Sequence, residues 1–386
     1  MITPRFCRNP RCKYSRRPVP DWYTRAGTYS TIAHGEVQRY RCRRCGCGCS
    51  AQTESMHYYA KRRLNLKLIR DRLRGGSSMR DIGRCIGCSR MAVANATLRL
   101  GRQSMSAQAS MIRGIEGSGS LCFDGLVSAV ASRDYPSQIN VLADSKQEII
   151  VSMTHCVTER GGTRTPAQAR RIEQRREVWK PQGKALTNSI ALLVNELPRY
   201  AGRRAFTIDT DEHPIYRAVI ARDRALRWFA QAGLLTVRRT LGSAPRTRAN
   251  PLYMVNYIDR MIRHRMKEHT RETIAPGRNS TMQMHRMWIF AWDHNASQPR
   301  RVKRTGDPSR IEYAERIAGE LKAHAREFYV RRISLRNVPI DESMVRVWLG
   351  ELDTPPVRWR VAQKRTGPVV TQYAKRDLSY AKHQGR

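Results

Sequence analysis

Ser120-Leu121-Cys122-Phe123-Asp124-Gly125-Leu126-Val127-Ser128-Ala129-Val130 carries one charge in an otherwise apolar or small run. A strand bound for a core has no structural use for a lone carboxylate, so Asp124 marks the stretch as more than packing. Working outward, residues 138–143 and 148–153 show the short strand pattern again, giving three successive strands. A very basic helical stretch follows at 166–177 and an amphipathic helix at 185–197. Ala205-Phe206-Thr207-Ile208-Asp209-Thr210-Asp211 then reads as a fourth strand with acids at its end, and 234–237 as a short fifth. Val255-Asn256-Tyr257-Ile258-Asp259-Arg260-Met261-Ile262-Arg263 opens a helix in which Ile258 and Ile262 share a side, with Asp259 beside them.

Three strands, a helical stretch, a fourth strand, a helix, a fifth strand and a further helix is the order of an RNase H-like α/β fold built on a mixed sheet. In that order an acid on the first strand, one at the end of the fourth and one on the later helix meet at one point. Asp124, Asp211 and Asp259 are the candidates. Three such carboxylates repel strongly unless divalent cations neutralise them, and hard oxygen ligands suit Mg²⁺ or Mn²⁺. Two ions about 3.5–4 Å apart activate a nucleophile and stabilise a leaving oxygen at a phosphodiester. Singly, each acid is more simply a partner for the abundant arginines; the joint order is what points to metal. Asp209 competes with Asp211, which is favoured because it precedes a helix entered through Pro214. Glu212 and Glu268 are the next substitutes, whereas His155 and His213 read as packing or hydrogen-bonding residues.

The N-terminal region carries a different chemistry. Cys7-x4-Cys12 and Cys42-x2-Cys45 are two closely spaced pairs, and Gln38-Arg39-Tyr40-Arg41 places a strand just before the second. Two such pairs brought together by a hairpin supply the four soft ligands of a structural Zn²⁺, a staple that a unit of about 50 residues needs. Cys47 and Cys49 leave a shifted register open. Behind the ribbon, Met79, Ile82 and Ile86 share a helical face, Gly87 suits a tight turn, and Ser89 suits a helix cap. With a supporting helix at 64–74, this reads as a helix-turn-helix, Val93, Leu98 and Leu100 supplying core contacts. Arg90, Met91, Ala94 and Asn95 are expected to face base edges, and Arg80 and Arg84 to contact phosphates.

The chain has 386 residues with 72 Lys plus Arg against 32 Asp plus Glu, a formal charge of +40 that calls for a polyanionic partner. A 40% hydrophobic content argues against wholesale disorder. No apolar run nears the roughly 20 residues of a membrane span, and residues 1–17 lack the apolar stretch of a secretory signal. Six of the ten cysteines fall in the first 49 residues, which reads as a metal site in a reducing compartment, so a cytoplasmic, nucleoid-associated location is expected. The reading is thus a multidomain α+β chain. A zinc ribbon spans 1–55, a helix-turn-helix 56–103, a linker 104–118 and a catalytic domain 119–300. The basic C-terminal region at 301–386 has one helix around 310–330 and few apolar anchors, and suggests extra DNA contact or disorder.

Taken in order, these pieces resemble prokaryotic insertion-sequence transposases of the DDE type. The resemblance rests on the cysteine pairs with Arg39-Tyr40-Arg41-Cys42, the helix-turn-helix, Phe123-Asp124-Gly125, Thr210-Asp211-Glu212-His213-Pro214-Ile215-Tyr216, and Asn256-Tyr257-Ile258-Asp259-Arg260 with Arg263 and Arg271. The segment 288–295, ending in His294-Asn295, adds to it, and coverage runs from about residue 7 to 301. It implies a two-metal-ion enzyme that cleaves double-stranded DNA at element ends and joins them to a target, with Asp124, Asp211 and Asp259 as metal ligands. It also implies a homodimer or higher oligomer on DNA. The departure is the third acid, an Asp where most such enzymes carry Glu; being one methylene shorter, it requires its helix to approach more closely. Two other functions fit the same residues: a non-catalytic DNA-binding regulator of transposase descent, and a metal-dependent nuclease without joining activity.

Overall fold

The computed structural model describes residues 2–271, 273, 275–301, 305–314, 325–333 and 340–357. At the N-terminus a short helix α1 (Lys13–Arg16) precedes three antiparallel strands, β1 (Tyr23–Thr31), β2 (Gly35–Cys42) and β3 (Gly48–Ser50), in the order β1-β2-β3. The buried interior here is little more than Trp22, Cys7, Cys12 and Cys42. That is too small a core to hold a fold by burial alone.

Three capped helices follow: α2 (Leu66–Arg74) on Asn65, α3 (Met79–Cys85) on Ser78 and α4 (Arg90–Gly114) on Ser89. Each cap side chain accepts an amide hydrogen bond from the first turn. Gly87 turns the chain between α3 and α4 at φ +63°. Residues 104–118 are not a linker. Helix α4 runs unbroken through residue 114, and Ser104, Met105, Ser106, Ala107 and Gln108 are buried. The physical reason is size: small side chains read as a polar spacer in sequence, but they also let α4 approach the later helix Ser280–Trp292 closely. A Cβ on Gly101, for instance, would collide with the His285 ring. Buried Gln108 is satisfied by the Ile150 carbonyl and by Asn295.

The central sheet has five strands, β4 (Ser120–Val130), β5 (Ser132–Asp144), β6 (Ile149–Val157), β7 (Phe206–Thr210) and β8 (Leu235–Arg239), in the order β6-β5-β4-β7-β8. The first three form an antiparallel meander, while β7 pairs parallel to β4 and β8 parallel to β7. Helices α5 (Pro166–Val178), α6 (Ala185–Val194) and α7 (Leu197–Ala201) link β6 to β7; α8 (Pro214–Arg222) and α9 (Arg224–Gln231) link β7 to β8. Then come α10 (Tyr253–Arg265), α11 (Ser280–Trp292), a π-helical turn at Asp293–Ser297 and the single turn α12 (Arg310–Tyr313). Alternation along β4 sorts two cores. Leu121 and Phe123 face α6, α8 and α9, whereas Cys122 and Leu126 face α10 and α11. Asp124 shares the second face by its place in that alternation.

The C-terminal region is better anchored than its composition suggests. Ile340, Met344, Val347 and Trp348 are buried, the last three on a helix Glu342–Leu349 that packs on α11 and α6. Arg331 donates to Glu54 at 2.6 Å and to the Thr3 carbonyl at 2.9 Å, tying this region to the ribbon. Of the helix expected around 310–330, only its edges lie within the described residues.

Candidate metal centre, carboxylate cluster and DNA-facing helices

The ribbon brings its cysteines together as their spacing predicts. Cys7 and Cys12 lie on the loop before and at the cap of α1, and Cys42 ends β2. Gly46, at φ +68°, turns the chain so that its amide reaches the Cys42 carbonyl at 3.0 Å. One Sγ from each of Cys7, Cys12, Cys42 and Cys45 lies within 4.8 Å of the other three. The nearest pairs, Cys7–Cys45 at 3.4 Å and Cys12–Cys42 at 3.8 Å, are far too long for disulfides. Burial pushes the Cys7 and Cys12 thiols up. At Cys45 burial acts in the same direction, but the Cys47 amide and the neighbouring thiols outweigh it and bring the thiol to about 7. Four converging thiols with one already near its thiolate form are a donor set that suits a closed tetrahedral metal such as zinc. Cys47 and Cys49 stand outside the cluster.

Asp124 is on β4, and Asp211 is the first residue after β7, the strand parallel to it. The pairing of these two strands ends at Cys122 and Asp209, two residues before each acid. Asp259 arrives from α10, whose Val255, Ile258 and Ile262 are fully buried on the same sheet face. Asp124 feels the Asp211 charge and Asp259 the Asp124 charge. Burial, reinforced by the Asp211 charge, raises Asp124 to about 6 although the Gly125 amide, Arg246 and Tyr216 oppose the shift. Burial and the Asp124 charge raise Asp259 to about 8 against the pull of Arg263 and Arg246. Asp259 Oδ1 is buried with no hydrogen-bond partner, whereas one oxygen of Asp124 takes the Gly125 amide at 2.7 Å and one of Asp211 the His213 amide at 2.8 Å. Among the described residues, only the four thiols converge within 4.8 Å; the three carboxylates are less tightly gathered.

No family model matches the chain, and no curated protein matches it. The geometry therefore carries the functional argument alone. It separates the competing acids. Asp209, 1% exposed, is held by Arg238 through bonds of 2.7 and 2.9 Å. Glu268 pairs with Arg286 at 2.9 Å, and Glu212 accepts the Gly242 amide at 3.0 Å. Each of these acids has a structural partner. His213 accepts the Ile215 amide at the start of α8, and buried His155 is pushed down to about 3 by burial, then by His269 and Arg346, so both act locally. One participant was not singled out in sequence. Tyr216 on α8 lies with its ring edge-on to Phe123 at 4.8 Å, close enough to Asp124 for the two to perturb each other's titration. Burial and then the charges of all three acids push its phenol up. It lies within the quoted Asp211-to-Tyr216 run, one helical turn into α8, and that position was the available signal.

On the helical unit, Arg80, Arg84, Arg90, Met91 and Asn95 are exposed as expected. Ala94 is not: it is 8% exposed and turned toward the core beside Val93. The helix buries a wide stripe here, and 94 falls within it while 91 and 95 do not. Leu98 is half-buried, so Leu100 rather than Leu98 fills the core. Arg80, Arg84 and Arg90 share an open groove with Arg62, which donates to the Gly87 carbonyl at 3.0 Å. Gly83 makes the close packing possible, because a Cβ there would lie 2.6 Å from the Cys88 carbonyl oxygen. Among the described residues, no helix is long and apolar enough to cross a membrane.

Proposed function

We propose that this chain is a DNA transposase of the DDE type. The ribbon and helix-turn-helix bind the element ends, and an RNase H-like domain cleaves DNA and transfers the 3′ ends to a target. The observation that carries the reading is that Asp124 on β4, Asp211 just after β7 and Asp259 on α10 all bear on one residue, Tyr216, whose phenol burial and then their charges push up. Asp259 Oδ1 is left unpartnered in a chain of +40 charge, where arginine partners abound. A buried carboxylate oxygen that makes no bond to the nearby arginines is a costly arrangement that a bound cation relieves. The order β6-β5-β4-β7-β8, with the acids on β4, after β7 and on α10, supports the RNase H-like reading. The close seat of α10 on the sheet suits the shorter third acid.

Asp124, Asp211 and Asp259 would hold Mg²⁺ or Mn²⁺, which when bound supplies Lewis acidity for in-line displacement at a phosphodiester. The chain's own residues do the rest. Tyr216 stands beside Asp124, and Arg246 and Arg263 place positive charge next to the carboxylates, where a scissile phosphate is attracted. The four cysteines hold Zn²⁺ as a structural ion, and Arg80, Arg84, Arg90, Met91 and Asn95 face the duplex. A dimer or higher oligomer on DNA belongs to this reading, as does a cytoplasmic, nucleoid-associated site of action.

The test is a strand-cleavage assay on DNA from either side of the gene, with Mg²⁺ or Mn²⁺, followed by strand transfer from pre-nicked ends. Wild type should cut and join, and Asp124→Ala should do neither. Metal-dependent cutting by Asp124→Ala refutes the assignment. Sequence-selective binding with no cutting makes the chain a regulator, and cutting without joining makes it a nuclease.

A further inference from the structure

Residues 241–251 form a loop whose root is bonded beside Asp211 and whose end enters α10, the helix that carries Asp259. Two bonds fix the root. The Thr240 amide donates to the Thr210 carbonyl at 2.9 Å, and the Gly242 amide donates to Glu212 Oε2 at 3.0 Å. Residues 242 and 212 stand in the same register as 240 and 210. The second bond is therefore the next rung of the parallel β7–β8 ladder, with a side-chain carboxylate where a main-chain carbonyl would stand. Asn250 fixes the other end. Its Nδ2 donates to the Pro245 carbonyl at 2.9 Å, and its Oδ1 accepts the Leu252 amide at 2.8 Å, at the start of α10. Between these ties the Ala244 amide turns back to Leu241 and the Asn250 amide to Thr247. Compact surface loops braced by their own groups are frequently functional.

Arg246 lies between the two turns and is exposed. Its charge is felt by both Asp124 and Asp259, so the loop carries it over the carboxylates. Among the described residues it nevertheless pairs with no acid, unlike Arg238 on Asp209 and Arg286 on Glu268. The turns and the Asn250 bonds leave the loop few conformations, so much of the cost of placing the guanidinium is met before a ligand arrives. An arginine fork on a braced, exposed loop, beside carboxylates that call for a cation, suits the phosphate of a strand lying across them. The same geometry gives Glu212 a part of its own. It is exposed, follows Asp211 directly, and commits one oxygen to the loop rather than to the acids.

We propose that residues 241–251 form a phosphate clamp on the DNA strand at the carboxylates, with Arg246 as the contacting group and Glu212 as the latch that positions it. The inference rests on the DNA-binding part of the proposed function, and its experiment reads binding, so it does not depend on cutting. Duplexes from either side of the gene are made with one phosphate at a time replaced by a neutral methylphosphonate, and affinity is measured by anisotropy in Ca²⁺. For wild type, neutralising one phosphate should weaken binding about tenfold through Arg246. Arg246→Ala should bind the unmodified duplex about tenfold more weakly and lose nothing further when that phosphate is neutralised. Glu212→Ala, which leaves the Gly242 amide without its acceptor, should shrink the penalty at that phosphate to about threefold. Glu212→Gln, whose side-chain oxygen still accepts the amide, should restore the wild-type penalty. Equal methylphosphonate profiles for wild type and Arg246→Ala overturn the clamp. Glu212→Gln behaving as Glu212→Ala overturns the latch, because the charge and not the hydrogen bond then matters. Coupling between Arg246 and one phosphate in a protein that never cuts DNA supports the clamp and refutes the transposase reading. Failure to bind any duplex refutes the DNA-binding reading, and this inference with it.

Discussion

Replacing Asp259 by Asn should make the protein more stable, and increasingly so as pH rises. The carboxyl shifts from 3.8 to about 8 on folding. Below the lower value both folded and unfolded chains are protonated, and the residue costs nothing. Between the two values the folded chain holds a proton that the unfolded chain has released, so stability falls with rising pH. Above about 8 the whole penalty remains. At ~1.4 kcal/mol per unit, the shift of about four units sets an upper bound of about 6 kcal/mol. Asp259 is only half-buried, and solvent reaching its outer oxygen cuts this to about 2–3 kcal/mol. Asn keeps the size and removes the charge. Calorimetry from pH 5 to 9 should therefore show Asp259→Asn melting roughly 4–6 °C above wild type at the alkaline end, with the gap narrowing toward pH 5. Mg²⁺ at pH 8.5 should raise the wild-type midpoint and leave the variant unmoved. Parallel pH profiles for the two proteins would show that the carboxylate is not held among like charges, and the metal reading would lose its support.

If the four thiols hold zinc as proposed, Cys45→Ser should abolish zinc binding by the ribbon, read with a chelating dye, with amide protection lost at 23–50 and kept in the central sheet. Arg238→Ala leaves Asp209 buried without its two bonds and should cost about 2–3 kcal/mol in urea unfolding, less than a fully buried pair because Arg238 is half in water. Adding Asp209→Asn to that variant should recover most of the loss. Gly83→Ala drives a methyl to 2.6 Å from the Cys88 carbonyl and should destabilise the helical unit by about 2 kcal/mol, weakening DNA binding with no change at the carboxylates. Arg84→Ala and Arg90→Ala should each lower the slope of log affinity against log salt by about 1 on any duplex.

Features carried by local spacing were legible in the sequence, and features carried by size or by distant register were not. The cysteine pairs, the caps at Ser78 and Ser89, the turn at Gly87 and the five strands follow from residues a few positions apart. The length of α4 did not, because Ser, Ala and Gln between 104 and 109 describe a polar spacer and a tightly packed helix equally well. Ala94 was misread by helical phase alone. The tie between Asp209 and Arg238 depends on β7 pairing with β8 in one register, so only the folded sheet distinguishes Asp209 from Asp211. The last helix was an avoidable miss: Met344, Val347 and Trp348 stand at i, i+3 and i+4, an apolar stripe visible in the chain itself.

The continuity of α4 also changes how recognition and chemistry relate within the proposed function. With a flexible linker, DNA caught by the helix-turn-helix would reach the carboxylates by diffusion at an effective concentration set by spacer length. A 25-residue helix is instead a rod of about 37 Å whose first turn faces the groove and whose second half is buried against α11. A second tie fixes its orientation. Arg70 on α2 bonds Asp293 at the π-helical turn after α11, with Arg74 at 3.4 Å and Gln298 at 2.8 Å on the other oxygen. The same turn supplies Asn295, which holds the Ile150 amide of β6 at 3.0 Å. Helix-turn-helix and sheet are thus joined through one buried polar knot as well as by apolar packing. A duplex docked on α4 then meets the sheet in one orientation, and a distant cutting position must come from bending the DNA or from a second copy of the chain.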